Sequence, residues 1–145
     1  MEQIRIKLLR EDAKVPTYGS AQAAGADLYA CIDNTVVIAP GQSLMIPTGV
    51  AMELPEGYVG LIYARSSLGT KRGLAPANKV GVIDSDYRGE LRVVLYNHSS
   101  QEQCIEPNER IAQLVITPVI TPGFRVVEEL TDTERSGGGF GSTGR

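Results

Sequence analysis

The chain has no tryptophan, one histidine and two cysteines among its 145 residues. With His98 as its sole imidazole, it lacks the donors for a zinc centre of Cys and His ligands. The H-x-E and P-C-x-x-C pattern of the zinc nucleobase deaminases is missing as well. Cys31 and Cys104 lie far apart and form no C-x-x-C. Two cysteines cannot staple a chain of this length, which leaves two reduced thiols as the expectation. Long apolar runs are also lacking. Ile4, Ile6 and Leu8 alternate with Arg5 and Lys7, so the first ten residues hold no signal-peptide core, and no stretch approaches a membrane span. Neither sign of charge dominates: the net charge is −3. That argues against the strongly basic face needed to coat nucleic acid, but leaves room for a local cluster that binds one small anion. A cytoplasmic protein is expected, nuclear if the source is eukaryotic or viral, with neither nucleic acid nor membrane as partner.

What is present is enough apolar residue, 42%, to fill one core, arranged as short strands cut by turn chemistry. Strands are expected at Ile4 to Leu8, Thr35 to Ile38, Leu44 to Val50, Val59 to Tyr63, Leu91 to Tyr96, Ile111 to Ile116 and Phe124 to Val127. Pro40-Gly41, Pro55-Glu56-Gly57, Pro107-Asn108 and Pro122-Gly123 separate them. This spacing predicts an all-β sandwich, jelly roll or barrel. One short helix is expected from Ser66-Ser67, where a hydroxyl can cap the first turn. The composition changes only near the end, so a β domain over 1–134 and a glycine-rich tail over 135–145 are expected. Such a tail buries too little apolar area to order itself and should be mobile when empty.

Several stretches carry groups suited to chemistry. Gly139-Phe140-Gly141-Ser142-Thr143-Gly144 spells G-x-G-x-x-G, yet the chain stops one residue later, so the helix of a dinucleotide fingerprint cannot follow. No Gly-Lys-Ser/Thr makes it a Walker loop. It reads either as a plain terminus or as a phosphate flap, with glycine amides, Ser142, Thr143 and Arg135 as donors and Phe140 free to stack on a base. Gly81-Val82-Ile83-Asp84-Ser85-Asp86-Tyr87-Arg88-Gly89-Glu90 sets two carboxylates two apart, on one side if the stretch is extended. An EF-type calcium loop fails there, since Arg88 and Leu95 would stand at ligand positions. A charged hairpin turn and a hairpin lining a pocket, with Asp84 able to take a proton from water, both fit. Tyr63-Ala64-Arg65-Ser66-Ser67-Leu68-Gly69 reads as an anion site at a helix start or as a plain N-cap beside a surface arginine. Ala24-Gly25-Ala26-Asp27-Leu28 and Glu109-Arg110-Ile111-Ala112-Gln113 are weak signals alone.

Taken together and in order, these five stretches resemble the five motifs of the trimeric dUTPase family. Ala24 to Leu28 is similar to the first, Ala64 to Leu68 to the second, Gly81 to Glu90 to the third and most specific, Arg110 to Gln113 to the fourth, and Arg135 to Gly144 to the fifth. Ala26 stands where Tyr is frequent and Ser136 where Gly is common. The resemblance implies a jelly-roll fold, a homotrimer with shared active sites, and Mg²⁺-dependent cleavage of dUTP to dUMP and pyrophosphate. It also implies residue roles. Asp84 matches the carboxylate that activates the attacking water. Tyr87 matches the ring against the deoxyribose, and Asn78, Val82 and Ile83 the uracil-reading hairpin. Arg65, Ser66, Ser67, Gln113, Arg135, Gly141, Ser142 and Thr143 match phosphate contacts, and Phe140 the cover over uracil. Asp27 matches a carboxylate near the metal, reached through water. Arg92 lies where a substrate-contact residue varies within the family. The rivals are a dCTP deaminase of related fold, with or without hydrolysis, and a non-catalytic nucleotide-binding module.

Overall fold

The computed structural model describes residues 3–144. Eleven strands run in the order β1 (Arg5–Leu8), β2 (Thr17–Tyr18), β3 (Ala26–Tyr29), β4 (Val36–Ile38), β5 (Ser43–Glu53), β6 (Tyr58–Tyr63), β7 (Leu74–Pro76), β8 (Gly81–Ile83), β9 (Glu90–Asn97), β10 (Gln103–Ile105) and β11 (Arg110–Pro118). All pairings are antiparallel. They form a four-stranded sheet β1-β5-β9-β7, a five-stranded sheet β2-β3-β11-β6-β8 and a two-stranded sheet β10-β4. The expected jelly-roll-like β architecture is the one observed. Among the described residues, no helix is long and apolar enough to cross a membrane.

The alternation that marks the strands also builds the core. Along β9, Leu91, Val93, Leu95 and Asn97 are buried while Arg92 faces out, as a two-residue period requires. Leu28, Ile62 and Leu114 from the five-stranded sheet, Ile46, Val50 and Val93 from the four-stranded sheet, and Ile38 and Ile105 from the small sheet join one apolar cluster. Each such side chain contributes about 1.5–3 kcal/mol by leaving water. Asn97 is fully buried but satisfied: its amide nitrogen donates to the Ile38 and Gln101 carbonyls at 2.8 and 2.7 Å, and its oxygen accepts from Ser99.

Six of the seven expected strands are present, each within two or three residues of its expected ends. The seventh is not. Phe124 to Val127 forms no strand, and Phe124 and Val126 are fully exposed. A strand needs a neighbour to receive its amides, and no strand of the described chain lies beside this segment. Every residue over 118–144 is exposed, and the main tie of this arm to the body is the Val119 amide on the Gly57 carbonyl at 2.8 Å. The helix is also different. Ser67–Arg72 winds with the wider π spacing, and Ser66 already has helical angles and makes no side-chain cap. Its carbonyl instead accepts the Thr70 hydroxyl at 2.6 Å. Gly73, at φ +67°, closes the turn by donating to the Leu68 carbonyl, a left-handed position suited to glycine.

Candidate active site

The Gly81 to Glu90 stretch is not a paired hairpin. β8 pairs with β6 in one sheet, and β9 pairs with β5 and β7 in the other. Residues 84–89 therefore cross from sheet to sheet, and the diverging strands leave space between them. A pocket of about 140 Å³ there is lined by Asn78, Gly81, Val82, Ile83 and Arg92, with Ile62, Pro76, Val93 and Val94. It adjoins a larger pocket of about 510 Å³ lined by Met45, Val82, Ile83, Asp84, Tyr87, Gly89, Glu90 and Arg92.

Residues 84–87 form a turn, not the extended stretch on which the same-side placement of Asp84 and Asp86 depends. The Tyr87 amide donates back to the Asp84 carbonyl at 3.1 Å. Asp84 lines the pocket of about 510 Å³, and together with Asp86 it also lines a neighbouring one of about 690 Å³. The Tyr87 ring folds over Gly89 and its hydroxyl donates to the Glu90 carbonyl at 2.9 Å. A Cβ on Gly89 would lie 2.4 Å from the Tyr87 hydroxyl oxygen. Glycine at 89 is thus what lets the ring come this close to the backbone.

A second cluster sits on adjacent strands of the five-stranded sheet. Gln113 on β11 lies between its register partners Asp27 on β3 and Tyr63 on β6. The Arg65 Nε donates to Asp27 Oδ1 at 2.8 Å, and Arg110 Nη1 reaches Asp27 Oδ2 at 3.4 Å. Arg65 Nη1 also reaches the Ser67 hydroxyl at 3.4 Å. The Gln113 amide donates to the Ala64 carbonyl at 2.8 Å, which fixes the turn carrying Arg65, Ser66 and Ser67. Gly25 makes room for it, since a Cβ there would meet Gln113 Oε1 at 2.5 Å. Arginine and hydroxyl donors on a fixed turn suit a phosphate.

The two clusters do not line a common pocket. The pockets that contain Asp84 include none of Asp27, Arg65, Ser66, Ser67 or Gln113. The tail makes a third, separate group. Arg135, Gly138, Ser142 and Thr143 surround a cavity of their own with Thr133 and Glu134. Successive turns hold it: Gly138 donates to the Arg135 carbonyl, and Ser142 to that of Gly139. Phe140 has φ +51° and Gly141 φ +86°, left-handed backbone positions within these turns. Phe140 is fully exposed. Arg145 lies outside the described residues.

Two contributors escaped the sequence reading of single roles. Glu90 bonds both the Gly49 amide and Arg92 at the pocket wall. Met45 joins the pocket from β5, and nothing in its local sequence marks it, because only the β5–β9 register opposes it to Val94. Hydrogen bonds to Asp33 and then Asp12 raise the Arg10 guanidinium above its ordinary value, and Arg10 in turn lowers Asp12. Burial pushes the Cys31 thiol up.

Among the described residues no three His, Cys, Asp or Glu side chains are grouped to hold a metal ion. Asp27 already engages an arginine with each oxygen. This donor set makes no cage for a resident ion. It does suit a hard cation that keeps its waters and arrives on substrate phosphates.

An all-β body, a pocket opened between diverging strands beside a carboxylate, and a separate arginine-hydroxyl anion cradle define a nucleotide hydrolase of jelly-roll-like fold. A model of the dUTPase family matches residues 11–144. The chain is 49% identical over 142 residues to the deoxyuridine 5′-triphosphate nucleotidohydrolase of Hydrogenobaculum sp., covering 98% of each. It is 46% identical over 145 residues to that of Neisseria meningitidis serogroup B, covering 98% of this chain and 97% of the relative. A mutant dUTPase of Staphylococcus bacteriophage 80alpha, solved with dUpNHpp, superposes with a TM-score of 0.91 at 32% identity, covering 100% of both chains. A mutant dUTPase of phage phi11 of S. aureus, whose structure concerns coordination of a structural Mg(II) ion, gives 0.82 at 29% identity over 90% of this chain and 100% of that one. The chain belongs to the dUTPase family.

Proposed function

We propose that this chain hydrolyses dUTP to dUMP and pyrophosphate, limiting uracil in DNA and supplying dUMP for thymidylate synthesis. The observation that carries the reading is the Asp84 pocket, where an exposed carboxylate shares the lining with a tyrosine packed closely on Gly89. The small pocket between β8 and β9 takes the uracil ring, with the Asn78 side chain and the backbone at Val82 and Ile83 as its hydrogen-bonding edge. A site that donates to the uracil O4 and accepts from N3–H leaves its own groups unpaired against cytosine, which supports discrimination of about 10⁴-fold. Tyr87 packs on the deoxyribose and leaves no room for a 2′-hydroxyl. Asp84 orients a water and takes its proton as the water attacks the α-phosphorus in line. Arg65, Ser66, Ser67 and Gln113 grip phosphate oxygens. The tail over 135–145 closes with Arg135, Gly141, Ser142 and Thr143 on phosphates and Phe140 over the base, excluding bulk water. Asp27 would hold, through water, a Mg²⁺ brought by the triphosphate, and that ion would neutralise charge on the phosphate oxygens.

The separation of the Asp84 pocket, the Arg65 cradle and the tail supports assembly from several chains. A homotrimer with shared sites supplies each site with a pocket from one copy, a cradle from the next and a tail from a third. The protein acts in the cytoplasm, on a small-molecule substrate. Pyrophosphate release from dUTP, with dCTP, dTTP and UTP as controls, tests the reading. Selective release from dUTP is expected. Ammonia from dCTP would favour a deaminase, and binding without turnover a non-catalytic module.

A further inference from the structure

Arg92 projects from the outward face of β9 and lines both the larger pocket and the small pocket beside it. At 56% side-chain exposure, an arginine would ordinarily sample many rotamers. This one is held. Its Nε donates to Glu90 Oε2 at 2.9 Å, and its Nη1 meets the Met45 sulfur at 3.9 Å. The Glu90 side chain is only 16% exposed, and its other oxygen accepts the Gly49 amide at 2.9 Å.

The anchor is rigid. Gly49 sits in the bulge where β5 slips against β9 between Pro47 and Ala51. It has φ +69°, and a Cβ there would lie 2.7 Å from the Ala13 Cβ and 2.9 Å from the Cys31 sulfur. Its carbonyl accepts the Leu9 amide at 2.8 Å. Inside the bulge, the Thr48 hydroxyl donates to the Leu91 carbonyl at 2.6 Å. Glu90 therefore ties Arg92 to a part of the backbone that cannot shift. It takes only the back edge of the guanidinium. The terminal nitrogens keep their donors, apart from the weak sulfur contact.

We propose that Glu90 is a positioning residue that holds Arg92 by its Nε so that the terminal N–H groups meet an oxygen of the bound nucleotide where the base and sugar subsites join. The inference rests on the dUTPase reading of this pocket. Arg92 tightens the grip on the nucleotide, and Glu90 acts only through Arg92. Arg92 keeps its half of the pair in water, and an ion pair open to solvent on one side adds little to stability, so the larger effect falls on affinity.

A kinetic double-mutant cycle on the full chain tests this, with Glu90→Gln, Arg92→Ala and the double variant assayed on dUTP. Gln retains an oxygen for the Gly49 amide but removes the charge that orients Arg92. Each single change raises KM about fivefold with kcat little altered, and the double variant is no worse than Arg92→Ala alone. Binding of dUpNHpp weakens in parallel, and the melting temperatures match the parent. Multiplying effects in the double variant would overturn the inference, as would an unchanged KM in either single variant or a loss confined to kcat. A parent chain that releases no pyrophosphate from dUTP would overturn the underlying reading, and this inference with it.

Discussion

The Asp84 turn and the Asp27–Arg65–Gln113 face are built in opposite ways. On the face, polar groups are tied to one another: Asp27 holds two arginines and Gln113 holds the Ala64 carbonyl. At the turn, the backbone is fixed by Tyr87 while Asp84 is left exposed at the pocket. The difference fits the work that the proposed function gives each. A grip on phosphate gains from donors held in advance, because less freedom is lost when the anion arrives. A base that must take a proton needs its oxygens unoccupied until water comes. The proposed reaction needs both halves, and the pockets that hold Asp84 take no lining from the other face.

The largest effect should come from the turn. Asp84→Asn keeps the shape and removes the proton acceptor, so kcat falls about 10³-fold while dUpNHpp still binds. Near-normal turnover would take the base role away from Asp84. The same variant sharpens the comparison when mixed with Arg65→Ala, which removes the cradle. Each variant alone is nearly inactive. If the halves come from different copies, co-refolding equal amounts restores activity at roughly a quarter of the sites, those pairing an intact turn with an intact cradle. No recovery would mean that one copy supplies both halves.

The tail comes next. It is held by its own turns and makes no pocket with either half. A stop after Glu134 should lower kcat/KM on dUTP about 10²-fold, since phosphate donors and the exclusion of water are lost together. The melting temperature should not move, because residues 135–144 are exposed throughout and bury no core. An unchanged rate would end the idea of a closing flap. A lower melting temperature would make the tail part of the fold.

Much of this was legible in the sequence because its signals are local. Alternation marked β1, apolar runs cut by turn residues marked β5, β6, β9 and β11, and the long register of β5 on β9 and of β11 on β6 made those strands strong. β2, β7, β8 and β10 have two or three residues each, too short for a period to show, and they exist because a longer neighbour offers them hydrogen bonds. Phe124 to Val127 failed for the converse reason: it has the composition of a strand and no neighbour to pair with. At the site, the residue types were readable but their grouping was not. Asp27, Tyr63 and Gln113 become neighbours only through the β3–β11–β6 register. That β8 and β9 part into different sheets, which opens the base-sized pocket, is a fact of topology with no local sequence mark.

The smallest effect probes how finely the grip is preset. Gly25 is not at a left-handed backbone position, so its requirement is one of space. Gly25→Ala would bring a methyl to 2.5 Å from Gln113 Oε1 and 3.2 Å from Gln113 Cβ. The far end of the side chain can swing aside, so the fold should survive with a small drop in melting temperature. The cost falls on the hydrogen bond to the Ala64 carbonyl, which steadies the turn that carries Arg65. Losing one such bond is worth about 0.5–1.5 kcal/mol, so KM for dUTP should rise by about fivefold with kcat less affected. A fall in kcat as deep as that of Asp84→Asn would contradict the division of labour, because it would make the cradle as decisive for the chemical step as the turn. An unchanged KM would show that the grip tolerates a loose Gln113, and that Asp27 alone holds Arg65 in readiness.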